Sequence, residues 1–226
     1  MHRNLDPSYP FAHQKAVAHR LDSTPFRPSW IRTPGRMQNT YANEVFVDEC
    51  AAAAGADPVE YRLRYLTDPR GIAVLRAAAS MAKWDGRPSP RKDQSGAIAR
   101  GRGIAYVKYE NARTYVAGVA EVEVNRQTGA IRCTRFHVAH DCGQIMVTSV
   151  DWASYPILRF PEVPEVVMEL INRPTEPPWG VGEPAACLPP PAISNAVFDA
   201  IGVRLRSVPY LPAKVVAAVK AAGAKA

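Results

Sequence analysis

The chain has 226 residues, enough to bury the core of one large domain or two small ones without disulfide or metal staples. Its 47% hydrophobic and 22% charged residues are ordinary globular usage, which argues against intrinsic disorder and against a membrane-protein class. The net charge of +7 is spread out, and the densest basic stretch, "RPSPRKDQSGAIARGRG" (87–103), is broken by Asp93 and rich in turn formers, so it reads as a solvated loop and nucleic-acid binding is not expected.

Proline recurs at Pro7, Pro10, Pro25, Pro28 and Pro34, which marks residues 1–38 as an extended segment that must lie against the rest of the chain. At Asn39 the pattern changes. "NTYANEVFVDECAAAAGA" predicts a helix capped by Asn39 or Thr40 and stopped near Gly55. Two further helices start at Asp57 and Asp68, each an acid followed by proline at the first helical position. Residues 39–84 therefore read as a helical cluster.

Beyond a loop at 85–100 the period shortens to two. "GRGIAY" (101–106) lacks the third glycine and the lysine of a phosphate loop and reads as the start of a strand. In "AEVEVNRQTGAIRCTRFHVAHDCG" (120–143), valines alternate with Glu121, Glu123 and Asn125, and "NRQTG" turns the chain into a second strand, a hairpin. Strands are also predicted at 147–158 and 165–171, then a helix from Pro191 to Ile201 closed by Gly202, and a last helix from Pro212. The class is α+β, a helical cluster with an antiparallel sheet, and residues 39–226 form one domain with a helical part (39–84) and a sheet part (100–226).

Cys50, Cys133, Cys142 and Cys187 show no metal-ligand spacing, so no metal site is expected from cysteine and the thiols read as reduced. No apolar run is long enough to span a membrane, and no basic-then-apolar leader opens the chain, so neither insertion nor export is expected. A catalytic Cys142 with His137 or His140 would need all three to converge. His13 and His19, in the proline-rich segment, read as surface or packing residues, and Asn195 and Asp199, one helical turn apart, as hydrogen-bonding partners of neighbouring loops.

The stretch that carries chemistry is "WGVGEPAACLPPPAISNAVFDAIG" (179–202), which sets Glu183 among Gly180, Gly182, Pro184 and apolar neighbours at the foot of a helix. An acid there can simply complement the helix dipole. In a dry setting built by Trp179, Val181, Ala185 and Ala186 on a glycine-shaped backbone, it would instead have a raised pKa and serve as a base near neutrality.

This stretch, continued to "VRLRSVP", closely resembles the C-terminal signature of the molybdenum hydroxylases, the xanthine dehydrogenase and aldehyde oxidoreductase family. "IRTPGRMQNTYANEVFVDECA" (31–51) resembles the family's Arg-Gly-x-Gly-Arg segment, and residues 120–143 its strand pair ending in Asp-Cys-Gly. The likeness is greatest to the molybdopterin-binding subunits of the isoquinoline 1-oxidoreductase and nicotinate dehydrogenase types. It implies hydroxylation of an N-heteroaromatic or aldehyde carbon with water-derived oxygen, a molybdenum–molybdopterin cofactor, and Glu183 as catalytic base. Arg32, Gly35 and Gly182 match cofactor-binding positions, although Thr33 and Pro34 stand where glycine is usual and Pro34 removes a backbone donor. Asp141 and Cys142 match a structural turn. The implied partners are a [2Fe–2S] small subunit, the N-terminal half of the molybdopterin subunit, and a flavin or cytochrome acceptor. The implied compartment is the cytoplasm, or the periplasm through exported partners. Two departures accompany the resemblance: the family's glycine-rich N-terminal half has no counterpart here, and "DCGQIMVTSVDW" (141–152) runs from the turn to the next strand without the usual glutamine-bearing segment, Met146 standing where that segment would begin. A truncated, cofactor-free interaction module is the alternative.

Overall fold

A computed structural model describes residues 5–19, 23, 25, 32–144 and 163–223. Its order is α1 (Arg36–Ala53), α2 (Pro58–Tyr65), α3 (Pro69–Met81), β1 (Ile98–Tyr109), β2 (Thr114–Asn125), β3 (Ile131–Asp141), β4 (Glu165–Leu170), α4 (Gly182–Ala186), α5 (Pro189–Ile201) and α6 (Pro212–Gly223). The strand expected at 147–158 and Met146 lie outside the described residues.

The sheet runs β1-β2-β3-β4, antiparallel across the first three strands. β4 pairs with β3 in parallel, so the sheet is mixed where alternation predicted antiparallel pairs. A short strand leaves no mark of its direction in its side-chain pattern, because the period of two is the same both ways. The fold is α+β, as expected, with helices on both faces of the sheet. Val107, Val116, Ala120 and Val138 pack with Ala192, Ala196 and Ala200 of α5, while Ile104, Tyr106, Ala117 and Val119 pack with Val74, Leu75 and Ala78 of α3. Strand alternation sorts these sets. Gly101 and Gly103 let α5 lie directly on β1, since a Cβ on either would stand under 3.0 Å from α5 backbone atoms.

Helices α2 and α3 begin where Asp57 and Asp68 predict, both aspartates accepting first-turn N–H groups. Helix α1 begins earlier than expected, at Arg36 after Gly35, which adopts φ 72°. The sequence hides this start because α1 buries a polar stripe, Arg36, Thr40, Glu44 and Asp48, at four-residue spacing. Arg62 of α2 meets that stripe: its Nε lies 3.0 Å from Glu44 Oε2 and its Nη1 3.5 Å from Asp48 Oδ1, with both partners buried. Tyr9 of the proline-rich segment donates to Glu44 Oε1 at 2.8 Å and the Tyr106 N–H donates to Oε2 at 2.9 Å. Tyr9, within the proline-rich segment, is thus buried on the α1 and α3 side of the sheet.

Asp199 binds a neighbouring loop as expected, whereas Asn195 donates to a helix and a strand. Asn195 donates to the Glu44 and Ile104 carbonyls, and Asp199 accepts from Arg87 Nη1 and Nη2, the Ser89 hydroxyl and the Arg102 N–H. Part of the stretch read as a solvated loop is therefore an anchor on α5, and its end, from Ile98, is β1.

Candidate functional site around Glu183

The site is assembled where the start of α1 meets the end of β1. The Arg36 guanidinium donates to the Lys108 carbonyl and to Asn111 Oδ1, which ties α1 to the β1–β2 turn. Just before it, Thr33 takes φ 62° and its carbonyl accepts the Arg36 and Met37 N–H groups, so the chain turns tightly and carries Arg32 outward. Tyr109, the last residue of β1, and α4 complete the arrangement.

Glu183 sits in the first turn of the five-residue helix α4. Its Oε1 accepts from Arg32 Nη1 at 3.2 Å, and its Oε2 accepts from the Tyr109 hydroxyl. The carboxylate also receives the Thr33 N–H. The Tyr109 hydrogen bond foremost, then Arg32 and the Thr33 N–H, hold its pKa below the usual glutamate value. This corrects the expectation of a dry loop and a raised pKa: the Glu183 side chain is 34% exposed, Trp179 and Val181 are themselves exposed, and opposing donors outweigh what desolvation there is. Gly180 and Gly182 have no left-handed backbone either; a Cβ on each would meet nothing within 4 Å. They leave an open edge.

Arg32 and Glu183, far apart in sequence, are brought together, with Gly182 beside Glu183 in α4. Gly35 caps α1 behind Arg32, and its carbonyl accepts the Asn39 N–H. Sequence reasoning missed Tyr109, which as a strand-end aromatic carries no local sign that its hydroxyl faces an acid. It also missed Cys187 beneath the site, whose buried thiol is pushed up to about 11 and contacts the Glu183 carbonyl at 3.7 Å.

The Asp-Cys-Gly turn is structural in its contacts. Asp141 is buried between Arg70, at 2.6 Å, and Arg173, at 3.0 Å, and Gly143 turns at φ 84° while donating its N–H to Asp141. His137 and His140 lie on opposite faces of β3, and burial raises the pKa of the Cys142 thiol, so these three do not form a nucleophile and its base. Burial takes His140 down to about 4 despite the neighbouring Asp141 carboxylate. The unfolded chain then binds a proton from about pH 6.5 downward that the folded chain refuses until about pH 4, so His140 makes stability fall with pH across that window. The full loss is on the order of 3 kcal/mol. Urea unfolding of His140→Phe between pH 7 and pH 4 should show a flatter slope than the parent; an identical slope would mean that the imidazole takes up its proton in the folded state.

Toward a molybdenum–pterin group the described residues would offer one wall of a site. Arg32 offers a cation for an anionic group, and the two open glycines admit close approach. The donor set is partial, because Glu183 already occupies Arg32. Among the described residues, no three His, Cys, Asp or Glu side chains gather as ligands, and no helix is long and apolar enough to cross a membrane.

The molybdopterin cofactor-binding domain family matches residues 107–151. The chain is similar to a nicotinate dehydrogenase subunit from Pseudomonas putida, 36% identical over 98% of this chain and 22% of that protein. It is also similar to the beta subunit of isoquinoline 1-oxidoreductase from Brevundimonas diminuta, 32% identical over 81% and 27%. The chain thus spans about a quarter of the length of these relatives. The first alignment runs over 260 residues, more than the 226 present, so parts of the relative's matched stretch have no counterpart here. Among solved structures, the aldehyde oxidoreductase of Desulfovibrio gigas shares the fold with a TM-score of 0.61 and 15% identity, over 84% of this chain and 41% of that one.

Proposed function

The chain belongs to the molybdenum hydroxylase family, as part of its molybdopterin-binding domain, and on that premise we propose that it supplies the general-base wall of a hydroxylase site, with Glu183 as the base. The observation that carries this is the Glu183 carboxylate itself, ionised, one-third exposed and flanked by an arginine and two open glycines. The reaction class is oxidation of a carbon–hydrogen bond of an N-heteroaromatic ring or aldehyde: substrate and water give the hydroxylated product, two protons and two electrons.

Molybdenum–molybdopterin, when bound, would supply the two-electron chemistry. The residues of this chain would do the rest. Glu183 would take one proton at Oε1, the oxygen paired with the exposed Arg32. Arg32 would turn from Glu183 toward an anionic edge of the cofactor, with Gly35 behind it allowing the turn and Gly182 leaving room. The electrons would leave through a [2Fe–2S] small subunit to a flavin or cytochrome acceptor, and the remaining cradle would come from the N-terminal half of the molybdopterin subunit. The two relatives described above are subunits by name, which supports a need for partner subunits.

The first test is the molybdenum and pterin content of the chain purified alone and after coexpression with an N-terminal half of the nicotinate dehydrogenase type. Little metal alone and near-stoichiometric metal together is the expected result. No metal in either preparation, with a cooperative melt, would favour the second reading, a cofactor-free interaction module. The observation on its side is β4, whose Val166, Met168 and Leu170 are exposed.

A further inference from the structure

Glu183 is held by two donors of opposite character. Arg32 reaches Oε1 from a side chain that is 76% exposed, and such an ion pair is screened, entropically costly and readily exchanged. Tyr109 reaches Oε2 from a ring that is 7% exposed, packed in the same apolar cluster as Val107, Val116 and Leu188. Its backbone is equally fixed. Tyr109 ends β1, is followed by Glu110 and Asn111 at φ 51° and 56°, and lies beside the Lys108 carbonyl that Arg36 clamps. A tyrosine ring has few torsions, so packing the ring sets where its hydroxyl points.

We propose that Tyr109 is the positioning residue of Glu183: its phenol anchors Oε2 and fixes the carboxylate plane, leaving Oε1 as the proton-accepting atom once Arg32 turns to another anion. The inference rests on the reading of Glu183 as a base and adds which of its oxygens acts and what aims it. Burial and the facing carboxylate raise the phenol's pKa, so Tyr109 stays a donor throughout the working range of the acid. The same bond is the foremost cause of the lowered Glu183 pKa, which makes the coupling measurable without any cofactor.

The experiment follows the carbon-13 signal of the Glu183 carboxyl through a pH titration of the full chain, assigned by its loss in Glu183→Gln. Tyr109→Phe should move the midpoint upward equally at low and high salt, whereas Arg32→Ala should move it upward at low salt only. An unmoved midpoint in a folded Tyr109→Phe protein overturns the proposal. If that variant does not fold, the reciprocal measurement decides: in Glu183→Gln the Tyr109 phenol should ionise at lower pH than in the parent, and an unchanged phenol titration is equally fatal. In the cofactor-loaded subunit, Tyr109→Phe should lower kcat with little change in KM and move the acid limb of the pH profile upward. The two readings fail separately. A moved midpoint with full activity in Glu183→Gln sinks the base and leaves the positioning, while an unmoved midpoint with an inactive Glu183→Gln sinks the positioning alone.

Discussion

Glu183→Gln in a cofactor-loaded, complete enzyme should lower turnover by about 10²–10⁴-fold, the range that a positioned proton acceptor contributes, with molybdenum content unchanged. The substitution suits the question because it keeps the shape of the side chain. The amide oxygen can still accept from Tyr109, and Arg32, exposed in any case, loses only a screened partner. What disappears is the ability to take up a proton. Thermal stability should stay within about 0.5 kcal/mol of the parent, as for other substitutions at partly exposed positions. Retained activity would reduce Glu183 to an acid that complements a helix end, whereas lost activity with lost metal would make it a cofactor contact. The lowered pKa adds a second readout. A group whose folded pKa is depressed gives its stabilising interaction above its unfolded pKa and loses it as pH falls through the folded value, so Arg32 and Tyr109 keep their carboxylate partner at neutral pH and release it only in acid.

The other large effect lies in the core, away from the site. Arg62→Leu should cost about 3–5 kcal/mol of unfolding free energy at pH 7, because it leaves the buried carboxylate of Glu44 without a cation and takes one of two arginines from Asp48. Arg62 makes hydrogen bonds to Glu44 Oε2, the Glu44 carbonyl and the Pro58 carbonyl, each at 3.0 Å, so three buried acceptors lose donors at once. Desolvation already raises the Glu44 pKa, and Arg62 is the chief group opposing it. With the arginine gone, the raised pKa makes the variant's deficit greatest at high pH and smaller as pH falls toward the ordinary glutamate range. The double variant Arg62→Leu, Glu44→Leu should recover part of the loss, since Asp48 retains Arg204 at 2.7 Å. Urea unfolding of the three proteins measures this. A loss below about 1 kcal/mol in the single variant would mean that water reaches the pair.

This network is also where the sequence was hardest to read. A helix is recognised by an apolar stripe, and α1 buries arginine, threonine, glutamate and aspartate alongside Val45, Val47 and Ala51, so its capping signals carried the reading and they pointed four or five residues late. The polar face is tolerable because its charges find partners from α2, the N-terminal segment and β1, none of which is near α1 in the local pattern. The Glu183 site divides in the same way. The acid and its glycines stood out in "GVGEP", and Arg32 was reachable by resemblance, but nothing in the local pattern singles out Tyr109. The expected dryness failed because it was inferred from the apolar names of neighbours that the fold leaves exposed.

The sequence by itself determined the elements whose causes are local. Aspartate–proline starts place α2 and α3, alternation and "NRQTG" place the β2–β3 hairpin, and Gly202 at φ 70° closes α5. Only the tertiary structure decided the parallel pairing of β4, the burial of the α1 charges, and the meeting of Arg32, Tyr109 and Glu183. Each of these depends on segments distant in the chain: Arg32 and Glu183 are separated by 151 positions and Tyr109 and Glu183 by 74. Capping and alternation act within a few residues, whereas the ionisation of a carboxylate depends on whichever charges and hydroxyls the whole fold brings to it.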